Sequence, residues 1–179
     1  MTLQETYKKE ILPKLMSEFS IVNPMAAPKL VKIVVNCGLG EALTDKKVME
    51  KMSLQLGIIT GQKPSITRAK RAISTFKLRA GDAVGLKITL RGPRMHDFLT
   101  RFISIALPRV RDFRGLPIRG FDGKGSYTLG ISEQTIFPEL EFSQVDKTRG
   151  FEATFVTTGV TREQTKRLLE LFGMPFSKE

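Results

Sequence analysis

Cysteine and histidine occur once each in the 179-residue chain, as Cys37 and His96, and tryptophan is absent. A single thiol closes no internal disulfide, and one Cys with one His cannot build a tetrahedral zinc site. No metal or cofactor is expected. A lone cysteine fits a reducing compartment. The N-terminal MTLQETYKKEILPK lacks the uncharged apolar core of a secretory signal, so the expected location is the cytoplasm. Long hydrophobic runs are missing too. Even FISIAL, from Phe102 to Leu107, falls far short of the roughly 20 apolar residues that cross a bilayer, and no membrane partner is expected. With 41% hydrophobic residues, the composition is that of a folded protein, expected as one domain over residues 1–179.

Negative charge is also scarce. The chain has 29 Lys and Arg against 18 Asp and Glu, for a net charge of +11. From Gln62 to Arg119 there are 14 basic residues and three acidic ones, Asp82, Asp97 and Asp112, whereas the remainder balances at 15 against 15. The whole excess lies in one contiguous third, which points to a localised polyanion-binding surface. Membrane-surface helices place a basic face opposite a Trp/Phe/Leu face. Here the cations fall largely in strand-like and loop-like segments such as KPSITRAKRAISTFKLRAG, and nucleic acid is the preferred partner.

The hydrophobic periodicity predicts an amphipathic helix over Thr2 to Phe19, with Leu3, Tyr7, Leu12, Leu15, Met16 and Phe19 on one face despite Pro13. Lys29 to Asn36 alternates as a strand, with Val31, Ile33 and Val35 on one side and Lys32 and Asn36 on the other. A helix should open near Thr44 or Asp45 and stop between Gly57 and Gly61. Val84 to Gly92 is a strand with Val84, Leu86, Ile88 and Leu90 inward and Lys87, Thr89 and Arg91 outward. Pro93 suits the first turn of a helix with an apolar stripe of Met95, Phe98, Leu99, Phe102 and Ala106, ended by Pro108. Two more strands, SYTLGIS and FEATFVTT, precede a last helix with a Thr161–Gln164 capping box. The order predicts an α+β fold: a mainly antiparallel sheet with helices packed on one face and the other face open for RNA.

Several motifs have a simpler structural reading. GLGE at Gly38 to Glu41 lacks the third glycine of a dinucleotide loop and reads as a tight strand-to-helix turn. RGFEATFV partly matches an RNA-contact strand, yet Phe151, Ala153 and Phe155 share one apolar face, which favours a core strand. His96 beside Asp97 has no nucleophile elbow and no second His to work with, so no catalytic residue and no enzyme is expected. Cys37 reads as a small, partly buried residue. ALPRVRDFRGL carries Arg109, Arg111 and Arg114, guanidinium forks suited to phosphate, with Asp112 as a possible internal partner. RAISTFKLRAGDAVG offers Phe76, Lys77 and Arg79 on what looks like a protruding basic loop at about 72–84.

The segments KIVVNCGLGEA, ITGQKP, TRAK, FKLRAGDAVG, KITLRG, ALPRVRDFRG, FDGKGSYTLG, IFPE and GMPF follow one another from about Pro28 to Phe176. Together they resemble the signature segments of the bacterial large-subunit ribosomal protein five family, whose members bind 5S ribosomal RNA. The resemblance implies a sheet face docked on 5S ribosomal RNA in the central protuberance and contact with 23S ribosomal RNA. It also implies contact between the loop and P-site transfer RNA, a bridge to small-subunit ribosomal protein thirteen, and neighbouring 5S-associated ribosomal proteins. Carried over by position, Asn36, Gln62 and Thr89 would be polar RNA contacts, and Arg68, Lys87 and Arg91 would supply phosphate charge. Lys32 and the three loop arginines Arg109, Arg111 and Arg114 would join that surface, and Phe76, Lys77 and Arg79 would form the transfer-RNA loop. The chain departs from the pattern at Cys37, Pro93 and His96 and in TREQ, all at helix starts or a turn. Two other readings stay open at this point: an RNA recognition module for single strands, and a nucleotide-handling enzyme using GLGE and His96.

Overall fold

The computed structural model describes residues 3–141 and 145–177. Its strands are β1 (Leu30–Gly38), β2 (Ser65–Arg68), β3 (Ala83–Leu90), β4 (Ser126–Ile131) and β5 (Phe151–Thr157). Its α-helices are α1 (Leu3–Thr6), α2 (Leu12–Glu18), α3 (Lys46–Thr60), α4 (Gly92–Arg101) and α5 (Arg162–Leu171). The strands form one antiparallel sheet in the order β2-β3-β1-β5-β4, so the expected α+β class is the one observed. The chain divides into two compact units: Met1–Ile33, Arg91–Leu129 and Ala153–Glu179 form one, and Val34–Leu90 with Gly130–Glu152 form the other.

In the first unit the predicted N-terminal helix is present, although its expected start at Thr2 lies outside the described residues. A π-helical turn, Tyr7–Ile11, joins α1 to α2, and a second, Phe102–Ala106, follows α4. Each turn lies just before a proline, Pro13 or Pro108. A proline ring collides with the carbonyl four residues back and supplies no N–H. Widening the winding by one residue moves that carbonyl away, and Leu12 and Leu107 donate five residues back, to Tyr7 and Phe102. The first π turn also rotates the helix face: Ile11, absent from the predicted stripe, is 2% exposed. The second carries the chain past the expected stop at Pro108 into a 3-10 turn at Leu107–Arg109. The α4 stripe is as predicted, with Met95, Phe98, Leu99, Phe102 and Ala106 all buried. Phe102 and Tyr127 both pack on Phe155.

The FDGKG segment folds into a tight loop. Asp122 Oδ1 accepts from the backbone of Lys124 and Ser126 at 3.0 and 2.7 Å. Gly125 has φ +79°, and a Cβ there would sit 2.0 Å from the Gly159 carbonyl oxygen, so only glycine fits. The carbonyl of Gly125 is held by the Thr157 hydroxyl at 2.7 Å. At the last helix, Thr161 caps Gln164 N and Gln164 Oε1 accepts from Val160 N, closing the capping box one residue early.

In the second unit α3 packs against β3. Asp45 is its N-cap and Gly61, at φ 68°, its left-handed stop, both within the expected bounds. Met52, Leu56, Ile59, Leu86, Ile88 and Leu90 are at most 1% exposed and form the core with Val35. On β1 the inward phase holds at Ile33, Val35 and Cys37 but slips at the strand's first residues. Leu30 is buried and Val31 is 40% exposed, against the expected inward Val31.

Candidate nucleic-acid interface

On β3 the period-2 alternation puts Leu86, Ile88 and Leu90 in the core, which turns Lys87 outward and leaves Thr89 half-buried on the same side. On β1 Lys32 is half-buried and Asn36 exposed. Gln62, just past the end of α3, reaches β3: its Nε2 donates to the Thr89 carbonyl at 3.4 Å. The structure therefore brings Gln62 and Thr89 together. Arg91 is exposed at the N-cap position of α4, Arg109 is exposed at the end of the 3-10 turn, and Arg111 and Arg114 are exposed in the bend that follows it. Asp112, which occupies a left-handed conformation at φ 51°, forms no ion pair with them among the described residues, so it does not neutralise them as expected.

The basic loop is a hydrogen-bonded hairpin between β2 and β3. Ala69 and Asp82 pair at 2.8 Å, Gly81 donates back to Ala69 at 2.9 Å, and Ile73 exchanges bonds with Leu78 at 2.9 and 3.1 Å. A 3-10 turn at Ser74–Phe76 forms the tip, and Lys77 follows it in the left-handed region at φ 51°. Phe76 is 70% exposed. Arg68 is partly engaged in the fold, its guanidinium donating to the Gly81 carbonyl at 2.9 Å and bracing the hairpin base. Arg79 is held by its backbone, which donates to Asp82 Oδ2 at 2.8 Å and leaves the guanidinium exposed. Lys70 and Arg71, exposed on the same hairpin, are functional candidates that the sequence reading does not single out. Their signal is an adjacent Lys-Arg pair ahead of the tip.

Ion pairing separates this region from the rest. The ion pairs join Glu18 to Arg167, Lys51 and Arg149 to Asp146, Lys147 and Arg149 to Glu41, and Glu170 to Lys166 and Arg167. Arg101 set aside, the cations from Gln62 to Arg119 make no ion pair among the described residues.

The motifs with competing readings resolve locally. GLGE becomes a strand end and a 3-10 turn, Gly40–Leu43, ahead of α3. Its Glu41 carboxylate lies below the ordinary range because Lys147 and Arg149 donate to it. Phe151, Ala153 and Phe155 are at most 4% exposed and cannot stack on a base. His96 is half-buried in α4, and burial lowers its pKa. Cys37 is fully buried, further than the partial burial expected.

Residues 83–176 match the model for the C-terminus of the ribosomal L5 family, and residues 23–79 match that for ribosomal protein L5. The chain belongs to the ribosomal protein L5 family. It is 55% identical over 174 residues to the large ribosomal subunit protein uL5 of Syntrophomonas wolfei, covering 97% of this chain and 98% of that one. The uL5 of Clostridium kluyveri is 53% identical over 179 residues, 100% of this chain and 99% of its own. That of Streptococcus pyogenes is 51% identical over 176 residues, 98% of each. The L5 family is one of structural proteins and not of enzymes, which removes the nucleotide-handling reading. The two L5 models meet between residues 79 and 83, at the C-terminal side of the basic hairpin.

Proposed function

We propose that this chain is a structural constituent of the large ribosomal subunit in the bacterial cytoplasm. In this reading it binds 5S ribosomal RNA through the outward side chains of β1 and β3, with 23S ribosomal RNA as a further partner. Asn36, Gln62 and Thr89 make polar contacts, and Lys32, Arg68, Lys87, Arg91, Arg109, Arg111 and Arg114 supply phosphate contacts. Phe76, Lys77 and Arg79 on the hairpin tip reach P-site transfer RNA. Small-subunit ribosomal protein thirteen and neighbouring 5S-associated proteins complete the central-protuberance contacts. The observation that carries the reading is the basic third, whose cations, Arg101 set aside, make no ion pair among the described residues. Such cations keep their full attraction for phosphate, and binding releases condensed counter-ions. Burial of the β5 aromatics weighs against a base-stacking module for single strands.

The test is binding of the purified chain to folded 5S ribosomal RNA, with transfer RNA as competitor, across a salt series. Tight binding that survives competition at physiological salt is the expected result. Equal, steeply salt-dependent binding to both RNAs would reduce the surface to a generic polycation.

A further inference from the structure

One stretch of the outward sheet surface in the second unit is hollow. Asn36 and Gly38 on β1, Gly130 on β4, Ser132 just beyond it, and Gly150 and Glu152 at the start of β5 line an open depression of about 510 Å³. All six are exposed, alternating with the buried Cys37, Ile131 and Phe151. The volume falls within the roughly 300–1,000 Å³ of ligand clefts.

At two of the glycines neither packing nor backbone conformation demands glycine. A Cβ on Gly38 or Gly130 would meet no atom within 4 Å, and neither has the positive φ that would demand glycine. Gly150 differs, since its Cβ would strike the Ile131 carbonyl at 2.6 Å. Glycine inside a strand is destabilising by roughly 0.5–1 kcal/mol against alanine. What Gly38 and Gly130 supply instead is bare backbone open to an outside group, the role of strand glycines where a ligand approaches closely.

The charge at the rim is the second anomaly. Glu152 is an exposed carboxylate with no ion pair among the described residues, lining a hollow on a protein of net charge +11. A carboxylate repels phosphate but accepts from donors on base edges. Guanine alone offers two adjacent donors on one edge, N1–H and the N2 amino group, which match the two oxygens of a carboxylate. Asn36, which can donate and accept, lines the same hollow from the neighbouring strand as a second polar partner.

We infer that this glycine-lined hollow receives one unpaired guanine base of the bound RNA, with the Glu152 carboxylate accepting from its N1–H and N2 amino group. The inference rests on the sheet-face reading proposed above and adds a base-specific contact to it. Recognition of splayed-out bases by their edges is how sequence is read in structured RNA.

The test uses the full chain, folded 5S ribosomal RNA, and the same RNA capped at N1 and N2 of its unpaired guanines by a dicarbonyl reagent. Gly38→Val and Gly130→Val should keep or raise the melting temperature and weaken RNA binding about tenfold or more, the scale of one lost base contact. Capping should weaken binding by the wild type by a similar factor, and Glu152→Gln should bind uncapped RNA more weakly and abolish most of the capping effect. If the two valine variants bind as the wild type while Lys87→Ala weakens binding, the sheet reading stands and the hollow is empty. If valine weakens binding but Glu152→Gln and capping have no effect, the hollow takes something other than guanine. If Lys87→Ala, Asn36→Ala and the valine variants all bind normally, the sheet-face reading falls with it.

Discussion

The cations from Gln62 to Arg119 and those of the ionic clip around Arg149 share chemistry but not fate. The Arg149 side chain is 8% exposed and donates to Asp146 at 2.8 Å, with Glu41 at 3.4 Å, and Lys147 and Lys51 complete the cluster. The hairpin cations, by contrast, stand in solvent. Local charge balance in the sequence distinguishes the two. Where acidic and basic residues are equal in number, part of the charge goes into ion pairs that hold segments together, as at Arg149 and Arg167. Where bases outnumber acids by fourteen to three, the surplus exceeds what local acids can neutralise, and, Arg101 set aside, its cations make no ion pair among the described residues.

The contrast is sharpest if removing charge in one region affects only binding and in the other only stability. Replacing Arg109, Arg111 and Arg114 together by Ala should weaken 5S ribosomal RNA binding roughly 100-fold (about 3 kcal/mol). The slope of log affinity against log salt should fall by about one per lost phosphate contact, with the melting temperature unchanged. A lowered melting temperature would show that these arginines brace their own loop. Arg149→Met should do the reverse, lowering unfolding free energy by about 2 kcal/mol in urea titrations. That is less than for a fully buried pair, because Asp146 and Glu41 are 30% and 48% exposed. Thr89→Val should cost about 1 kcal/mol of RNA binding if its hydroxyl is covered by RNA, read by filter binding. Replacing Lys77 and Arg79 by Ala should leave 5S affinity nearly unchanged while weakening transfer-RNA retention on assembled ribosomes. A large loss of 5S affinity there would merge the hairpin with the sheet surface.

Acid should separate the regions as well. Hydrogen bonds from Arg149 hold the Asp146 carboxyl, and those from Lys147 the Glu41 carboxyl, below their ordinary values. Each group is therefore ionised more readily in the native state than in the unfolded chain. The clip's contribution is complete above the unfolded carboxylate range, near pH 4, and is lost as pH falls through the lower native values. Asp146→Asn should flatten that acid limb in urea midpoints measured against pH.

Much of this was legible in the sequence where one physical signal dominated. β3 was readable because every second residue is apolar and the core takes that face. The α4 stripe and the caps at Asp45, Thr161 and Gly61 followed from local rules. β2 was not resolved from its surroundings, because a four-residue edge strand with no buried residue carries no alternation. The slip at Val31 escaped because periodicity counts residues and does not see where packing neighbours end. The two π turns escaped because a proline marks strain without saying how the chain relieves it. The hollow was hidden for a different reason: its residues lie on three strands, and glycines with no conformational duty look like ordinary turn residues until the sheet is assembled.

The lone thiol has a practical corollary. Cys37 Sγ donates to the Gly150 carbonyl at 3.3 Å, its side chain is inaccessible, and burial pushes its pKa up to about 11. At pH 8 only about one molecule in a thousand would carry a thiolate, and that one is out of a reagent's reach. Alkylation must therefore wait for the fold to open around Cys37, so the labelling rate is a clock for that opening, supplied by the native sequence without an added probe. RNA seated on the sheet should slow the clock, and the factor of slowing measures how firmly docking holds the fold closed around β1.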